Sequence, residues 1–338
     1  MDAMALYQEA RVRQDALSGY YNSNVRVDSA DGPVMVRIPA GGAPTMDLTM
    51  WPEHAVLEAI RPYVTSAPQL LHVEADPPFQ IHEFIAGTCL DEVCPAGTPL
   101  PAGVLRDIGT LFSQLLRVPA AKLPGVPADW PADGDTAGFV ALLLRLVRTI
   151  RADGDEATGQ LYRDLGVPED PCALLEQRAG TLRSRPFRLL HADIHRRNVI
   201  THRHRTVFLD WELALWGDPV YDLADHLHKM SYLPAERDRT VAAWQRVAPA
   251  ECRVGWEDAL AFYLAFERMK SAVVDTVRWA RLIAAAPTEA ERRARAGELA
   301  DKLRAARPTW PSGPRSDSSP AHIQRAVERW AGRRESQG

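Results

Sequence analysis

Leu189-Leu-His-Ala-Asp-Ile-His-Arg-Arg-Asn-Val-Ile200 is the stretch whose reading decides the fold. A leucine pair and a Val-Ile pair flank a dense polar cluster. The segment therefore reads as strand, loop and strand, with the polar side chains gathered on the loop. A second apolar run, Val207-Phe-Leu, ends in Asp210, twelve residues past Asn198. Apolar runs of this kind bury themselves and hold the polar residues at their ends in fixed positions, where function is commonly mounted.

Two features of the cluster point to one chemistry. Asp193 and Asn198 stand five residues apart on the loop, and Asp210 closes the next apolar run. Phosphoryl transfer needs a carboxylate near the acceptor hydroxyl, plus oxygen ligands for a Mg²⁺ that bridges the nucleotide phosphates. The order H-x-D-x₄-N followed by D is that of a kinase catalytic loop and its metal-binding aspartate.

The composition sets the frame. The chain has 338 residues, 46% of them hydrophobic, enough for two lobes around sizeable cores. Its formal net charge of −4 argues against a nucleic-acid partner, which would demand a basic surface. No apolar run approaches the ~20 residues that span a bilayer, so no membrane partner is expected. Four irregularly spaced cysteines suggest free thiols, and the N-terminus lacks the apolar core of a signal peptide, so the expectation is a cytoplasmic protein. Oligomeric state leaves no trace in the sequence.

His191-x-Asp193-x₄-Asn198, then Leu209-Asp210-Trp-Glu212, then Gly217-Asp-Pro-Val-Tyr-Asp-Leu-Ala224 resembles the aminoglycoside phosphotransferase/choline kinase family of small-molecule kinases. The resemblance is close over 189–224 and looser in the first ninety residues. It implies an α+β, bilobal, protein-kinase-like fold, with a small antiparallel-sheet N-terminal lobe and a larger, mostly helical C-terminal lobe. On that pattern Asp193 is the catalytic base or hydroxyl-orienting carboxylate, and Asn198 and Asp210 are the Mg²⁺ ligands. His191 braces the loop, and His195 lies near the γ-phosphate. Asp218 and Asp222 hold the loop through backbone hydrogen bonds.

Working outward, the first ninety residues read as strands with one helix. Short β-rich runs at 24–27 and 34–39 flank Ser29-Ala-Asp-Gly32, a hairpin turn by composition. A helix opens at Pro52, and strands follow at 70–74 and 79–84. Arg37, on Val34-Met-Val-Arg-Ile-Pro39, occupies the place where kinases carry a phosphate-gripping lysine, and arginine can clamp phosphate bidentately. Glu53 is its natural ion-pair partner, with Glu58 as the alternative. Ile81-His-Glu-Phe-Ile-Ala-Gly87 resembles the kinase hinge, in which the backbone of Glu83 and Ile85 would meet the purine. Backbone contacts leave ATP and GTP equally open as donors. Leu17-Ser-Gly-Tyr-Tyr-Asn-Ser-Asn24 has one glycine and departs from the glycine-rich loop of protein kinases.

These readings divide the chain into a nucleotide-binding lobe with hinge (1–86), a catalytic and substrate-binding lobe (87–308) and a flexible tail (309–338), with room for a last helix around His322 to Trp330. Amphipathic periodicity predicts a helix over 104–116 and another over 256–283. On the second, Glu267, Ser271, Asp275 and Arg278 form a polar stripe; a solvated face accounts for it, as would contact with amino groups of a substrate. Asp225 and His226 are candidates for a substrate wall. The HxH pairs 202/204 and 226/228 lack the accompanying carboxylate of a zinc site. The expected acceptor is a hydroxyl of an aminoglycoside or sugar-containing nucleoside antibiotic, the outcome being resistance by modification. The alternative is a metabolic kinase acting on choline, an amino alcohol or a sugar.

Overall fold

A computed structural model describes residues 1–13, 17–18, 22–39, 48–202, 205–311 and 317–335. Two compact units emerge. One comprises Met1–Trp130 with Phe187–Arg253, the other Pro131–Pro186 with Val254–Gly338.

The first unit is built on a five-stranded antiparallel sheet. Its spatial order is Leu17–Ser18, Asn22–Ser29, Gly32–Pro39, Pro78–Glu83 and Leu70–Ala75. The turn at 29–32 closes through Ser29, whose hydroxyl donates to Gly32 O at 2.7 Å and accepts from Asp31 N at 3.2 Å. Gly32 has φ +114°, open to glycine at little cost. Alternation then sorts the side chains. Val25, Val27, Val34 and Val36 share one buried face with Phe79 and Ile81, and Arg37 lies on the other.

A helix that the sequence reading did not anticipate, Ala3–Val12, covers the valine face with Leu6, Tyr7 and Ala10. Tyr7 stacks on Phe79 with ring centres 4.6 Å apart. Its start is fixed by Asp2, which accepts from Ala5 N at 3.1 Å. With only three buried positions the helix carries too little periodicity to stand out in the sequence. The Arg37 face is met by helix Glu53–Ile60, which buries Val56, Leu57 and Ile60.

The same unit contains three further pieces. Strands Thr88–Cys89, Val199–His202 and Arg205–Phe208 form a small antiparallel sheet. Arg188–Leu190 pairs with Leu215–Gly217, so the chain before the polar loop is tied to the chain after it. Helix Ala102–Leu115 packs against Pro234–Val247 and buries Val104, Ile108, Leu111, Phe112 and Leu115. At about 1.5–3 kcal/mol for each large apolar side chain removed from water, that stripe anchors the helix.

Among the described residues the regular structure of the second unit is helical. Trp256–Ala284 is packed by Thr136–Ala152, Glu289–Ala306 and Pro320–Glu335. The tail that the sequence suggested would be flexible is therefore ordered over 320–335. Ile323, Ala326, Val327 and Trp330 are buried, His322 Nε2 lies 2.9 Å from Asp164 O, and Arg329 pairs with Asp164 at 2.9 Å. The helix open to the sequence around 322–330 is thus present and packed, and residues 312–316 lie outside the described residues. Trp330→Ala should lower the unfolding free energy by about 3 kcal/mol in urea titrations, whereas Arg329→Ala, at a partly exposed pair, should cost under about 1 kcal/mol.

Candidate active site

Strand Arg188–Leu190 ends at His191, and the chain turns sharply at Ala192, whose φ is +58°. A non-glycine residue held there costs about 1–2 kcal/mol. Asp222 offsets that cost: buried in helix Pro219–Lys229, it accepts from Ala192 N at 2.8 Å. Asp218 caps the same helix by accepting from Val220 N at 3.0 Å. Arg196 pins the far side of the loop, donating to Met230 O at 2.9 Å and to Cys94 O. His191 is fully enclosed with its ring 4.4 Å from that of Trp211, and among the described residues neither ring nitrogen has a hydrogen-bond partner.

Within this frame Asp193 is held from several sides. Asn198 Nδ2 donates to Asp193 Oδ2 at 2.9 Å and to its main-chain oxygen at 3.0 Å. Lys229 Nζ lies 2.7 Å from Oδ1, and His195 Nε2 lies 3.6 Å from Oδ2. Burial alone would raise the Asp193 carboxyl, but the Lys229 ammonium and His195 outweigh it and hold it well below the usual carboxylate range.

The hairpin of Val199–His202 with Arg205–Phe208 explains the spacing to Asp210. Val199 faces Phe208 and Leu209 N donates to Asn198 O at 2.8 Å, so residues 198 and 210 flank the open end of one ribbon. Asp210, at φ +67°, turns its carboxylate onto Arg37, 2.9 Å away. Arg37 also meets Glu53 at 3.2 Å and Glu212 at 3.9 Å. Glu53, not the exposed Glu58, thus takes the pairing role. Glu53 also accepts from Trp211 N at 3.1 Å, joining its helix to the turn after Asp210.

The donor set fits Mg²⁺. Giving its NH₂ to Asp193 leaves Asn198 its Oδ1 as an acceptor. Three carboxylates surround the single Arg37 guanidinium, and burial followed by the Asp210 charge pushes Glu212 up to about 8. A divalent cation would relieve that surplus of negative charge. Among the described residues no group of three or more His, Cys, Asp or Glu is arranged to hold a metal alone. Mg²⁺ characteristically takes one or two protein oxygens and completes its shell with phosphate and water.

Residues 12–254 match the phosphotransferase enzyme family, APH. The chain belongs to that family. Solved structures similar to this phosphotransferase include the choline kinase LicA from Streptococcus pneumoniae, 12% identical, covering 89% of this chain and 98% of that one with a TM-score of 0.56. The Plasmodium vivax ethanolamine kinase is 13% identical over 89% and 85%, with a TM-score of 0.57. The aminoglycoside phosphotransferase APH(4)-Ia is 14% identical over 89% and 97%, with a TM-score of 0.53. At these identities the likeness speaks for the fold, which is protein-kinase-like. No curated protein matches the chain. The phosphotransferase is a small-molecule kinase that uses a hydroxyl acceptor.

Other expected site residues of the phosphotransferase lie differently. Glu83 N donates to Gln69 O at 2.9 Å, which leaves only its carbonyl for a purine; Ile85 is half-buried just beyond the strand. Asp225 and His226, considered for a substrate wall, are instead fully enclosed within their unit. Asp225 pairs with Lys229 at 2.9 Å, and His226 bonds Ile194 O at 3.1 Å and Tyr232 OH at 2.6 Å. That commitment also removes His226 from any zinc pair, while His204 of the other pair lies outside the described residues. In the helical unit the stripe is not a solvated face. Glu267 and Asp275 are buried and ion-paired at 2.7 Å to Lys270 and Lys302, respectively. Part of the Leu17–Asn24 loop, 19–21, also falls outside the described residues.

Three participants were missed in the sequence: Lys229, Arg196 and Glu212, whose Oε2 accepts from Asn22 Nδ2 at 2.9 Å. The i,i+4 spacing from Asp225 was a signal for Lys229, and the Asp-Trp-Glu order was one for Glu212.

Burial holds three histidines neutral: His82 is depressed to about 3, and His191 and His226 to about 4. Their ordinary value is about 6.5, so the unfolded chain takes up protons that the fold excludes as pH falls from there to about 4. Their contribution is complete above that window and is lost within it. Asp222 and Glu212, raised to about 7 and about 8, run in the opposite sense. The test is therefore a difference: the stability margin of wild type over His226→Asn should shrink as pH falls from about 6.5 to about 4. A margin independent of pH in denaturant titrations would contradict it.

Proposed function

We propose that Asp193 receives the acceptor hydroxyl, that Asn198 and Asp210 hold Mg²⁺, and that Arg37, positioned by Glu53, grips the phosphates of ATP or GTP. The observation that carries this reading is the single cluster in which Asn198 bonds Asp193 at 2.9 Å and Asp210 meets Arg37 at 2.9 Å. When bound, the metal neutralises charge on the phosphate oxygens. The acceptor oxygen forms its bond to the γ-phosphorus as the bond to the β-phosphate oxygen breaks, and its proton passes to Asp193. A carboxylate held far below its usual range is a weak base. This suits a loose transition state, in which orienting the hydroxyl matters more than ionising it beforehand. On the family pattern His195, 3.6 Å from Asp193, would approach the γ-phosphate. We assign 1–86 to nucleotide binding and 87–308 to catalysis and acceptor binding. We place the protein in a reducing cytoplasm, which suits four cysteines not joined in disulfides.

The acceptor class we put first is a hydroxylated antibiotic, an aminoglycoside or sugar-containing nucleoside, by family resemblance. APH(4)-Ia has been solved with ADP and hygromycin B and with AMP-PNP. The alternative is a metabolic small-molecule kinase acting on choline, an amino alcohol or a sugar, and both choline and ethanolamine kinases are among the similar structures.

The test is transfer of labelled γ-phosphate from ATP or GTP, with Mg²⁺, across a panel of antibiotics, choline, ethanolamine and sugars. One acceptor class should be labelled, and casein should not. Asp193→Asn should lower kcat about 10²–10⁴-fold while leaving ADP binding in place. Full activity in that variant would remove Asp193 from the reaction.

A further inference from the structure

Lys229 is the last residue of helix Pro219–Lys229, and its ammonium meets three oxygens at once. It lies 2.7 Å from Asp193 Oδ1 and 2.9 Å from Asp225 Oδ1, and it donates to Ala192 O at 3.0 Å. The ammonium's hydrogens, set in a tetrahedral fan, serve Ala192 O and Asp193 Oδ1 together, and Asp225 is met as an ion pair. A guanidinium, with donors fixed in a plane, does not converge on such a point. The chain has only four lysines among 40 basic residues, which makes a lysine at this position chemically informative. Asp225 is fully buried one helical turn earlier and draws the ammonium inward, beneath the loop.

We propose that Lys229 is a positioning residue for phosphoryl transfer, fixing the Asp193 carboxylate by one oxygen while Asn198 fixes the other. The proposal rests on the reading that Asp193 receives the acceptor hydroxyl. A carboxylate gripped at a single oxygen turns about its Cβ–Cγ bond; gripped at both, it presents one orientation. The bond to Ala192 O adds a second function, because it ties the left-handed residue preceding Asp193 to the same ammonium. Asp225, the buried anion, keeps Lys229 in place and does not meet the acceptor.

The experiment compares Lys229→Ala, Lys229→Met, Lys229→Arg and Asp193→Asn in the full chain, using the acceptor labelled in the panel or water as acceptor, with phosphate release as the readout. Lys229→Ala should lower kcat about 10²-fold, the scale of a mispositioned reacting group, with KM for ATP and binding of ADP unchanged. Ethylammonium added to that variant should restore part of kcat in a saturable manner, a response that a general loss of packing would not give. Lys229→Arg should remain impaired despite its charge. If Lys229→Ala does not fold, Lys229→Met, which keeps the stem and volume, carries the same comparison. Wild-type kcat in the folded Ala or Met variant, with Asp193→Asn inactive, overturns the role of Lys229 alone. Wild-type kcat in Asp193→Asn overturns the reading beneath it as well.

Discussion

Arg37 is the point on which the first unit's chemistry turns. One guanidinium on a sheet strand is shared by Glu53 from the neighbouring helix, Asp210 at the end of the ribbon, and Glu212 in the turn beyond. Burying a cation is costly unless it is paired, and one buried and two half-buried acidic groups around a single cation leave more negative charge than Arg37 balances. Sheet, helix and turn meet around an electrostatic imbalance that a magnesium–nucleotide complex would correct.

The loop next to this cluster follows a complementary logic. Its anion, Asp193, is over-provided with partners: Lys229, Asn198 and His195 all approach it. Asp222 supports the strained residue before it, and Arg196 anchors the turn after it. Asp193 is thus held by neighbours committed to it, while Asp210 stands among competitors for a single arginine. A fixed carboxylate and an under-compensated one are two environments that would suit the two tasks proposed for them, meeting a hydroxyl and meeting a cation.

Much of this was legible in the sequence. The polar loop, its flanking strands, the Arg37 strand and the helix beginning near Pro52 follow from period-two alternation and turn chemistry, which are local signals. What escaped was non-local. Helix Ala3–Val12 exists because a valine face needs covering, and what the sequence left out of helix Pro320–Glu335 was its packing, with Trp330 buried beside Thr158. Asp225 and His226 have polar identities suited to a ligand wall, and only packing reveals that they are enclosed. Lys229 became visible as a partner of Asp193 once the helix direction was known. Glu267 and Asp275 have the spacing of a solvated stripe, and the lysines that enclose them come from elsewhere on the same helix and from its neighbour.

The ribbon of Val199–His202 and Arg205–Phe208 carries one further consequence. Asn198 and Asp210 are neighbours because they flank its paired ends, and each added pair of rungs would lengthen the chain between them without separating them. The twelve-residue interval is thus a property of ribbon length, not of metal chemistry. Relatives could stretch or shorten the ribbon toward its tip and keep the same pair of oxygen donors in register. What must be preserved is parity: a shift of one residue along one strand would turn its side chains to the opposite face.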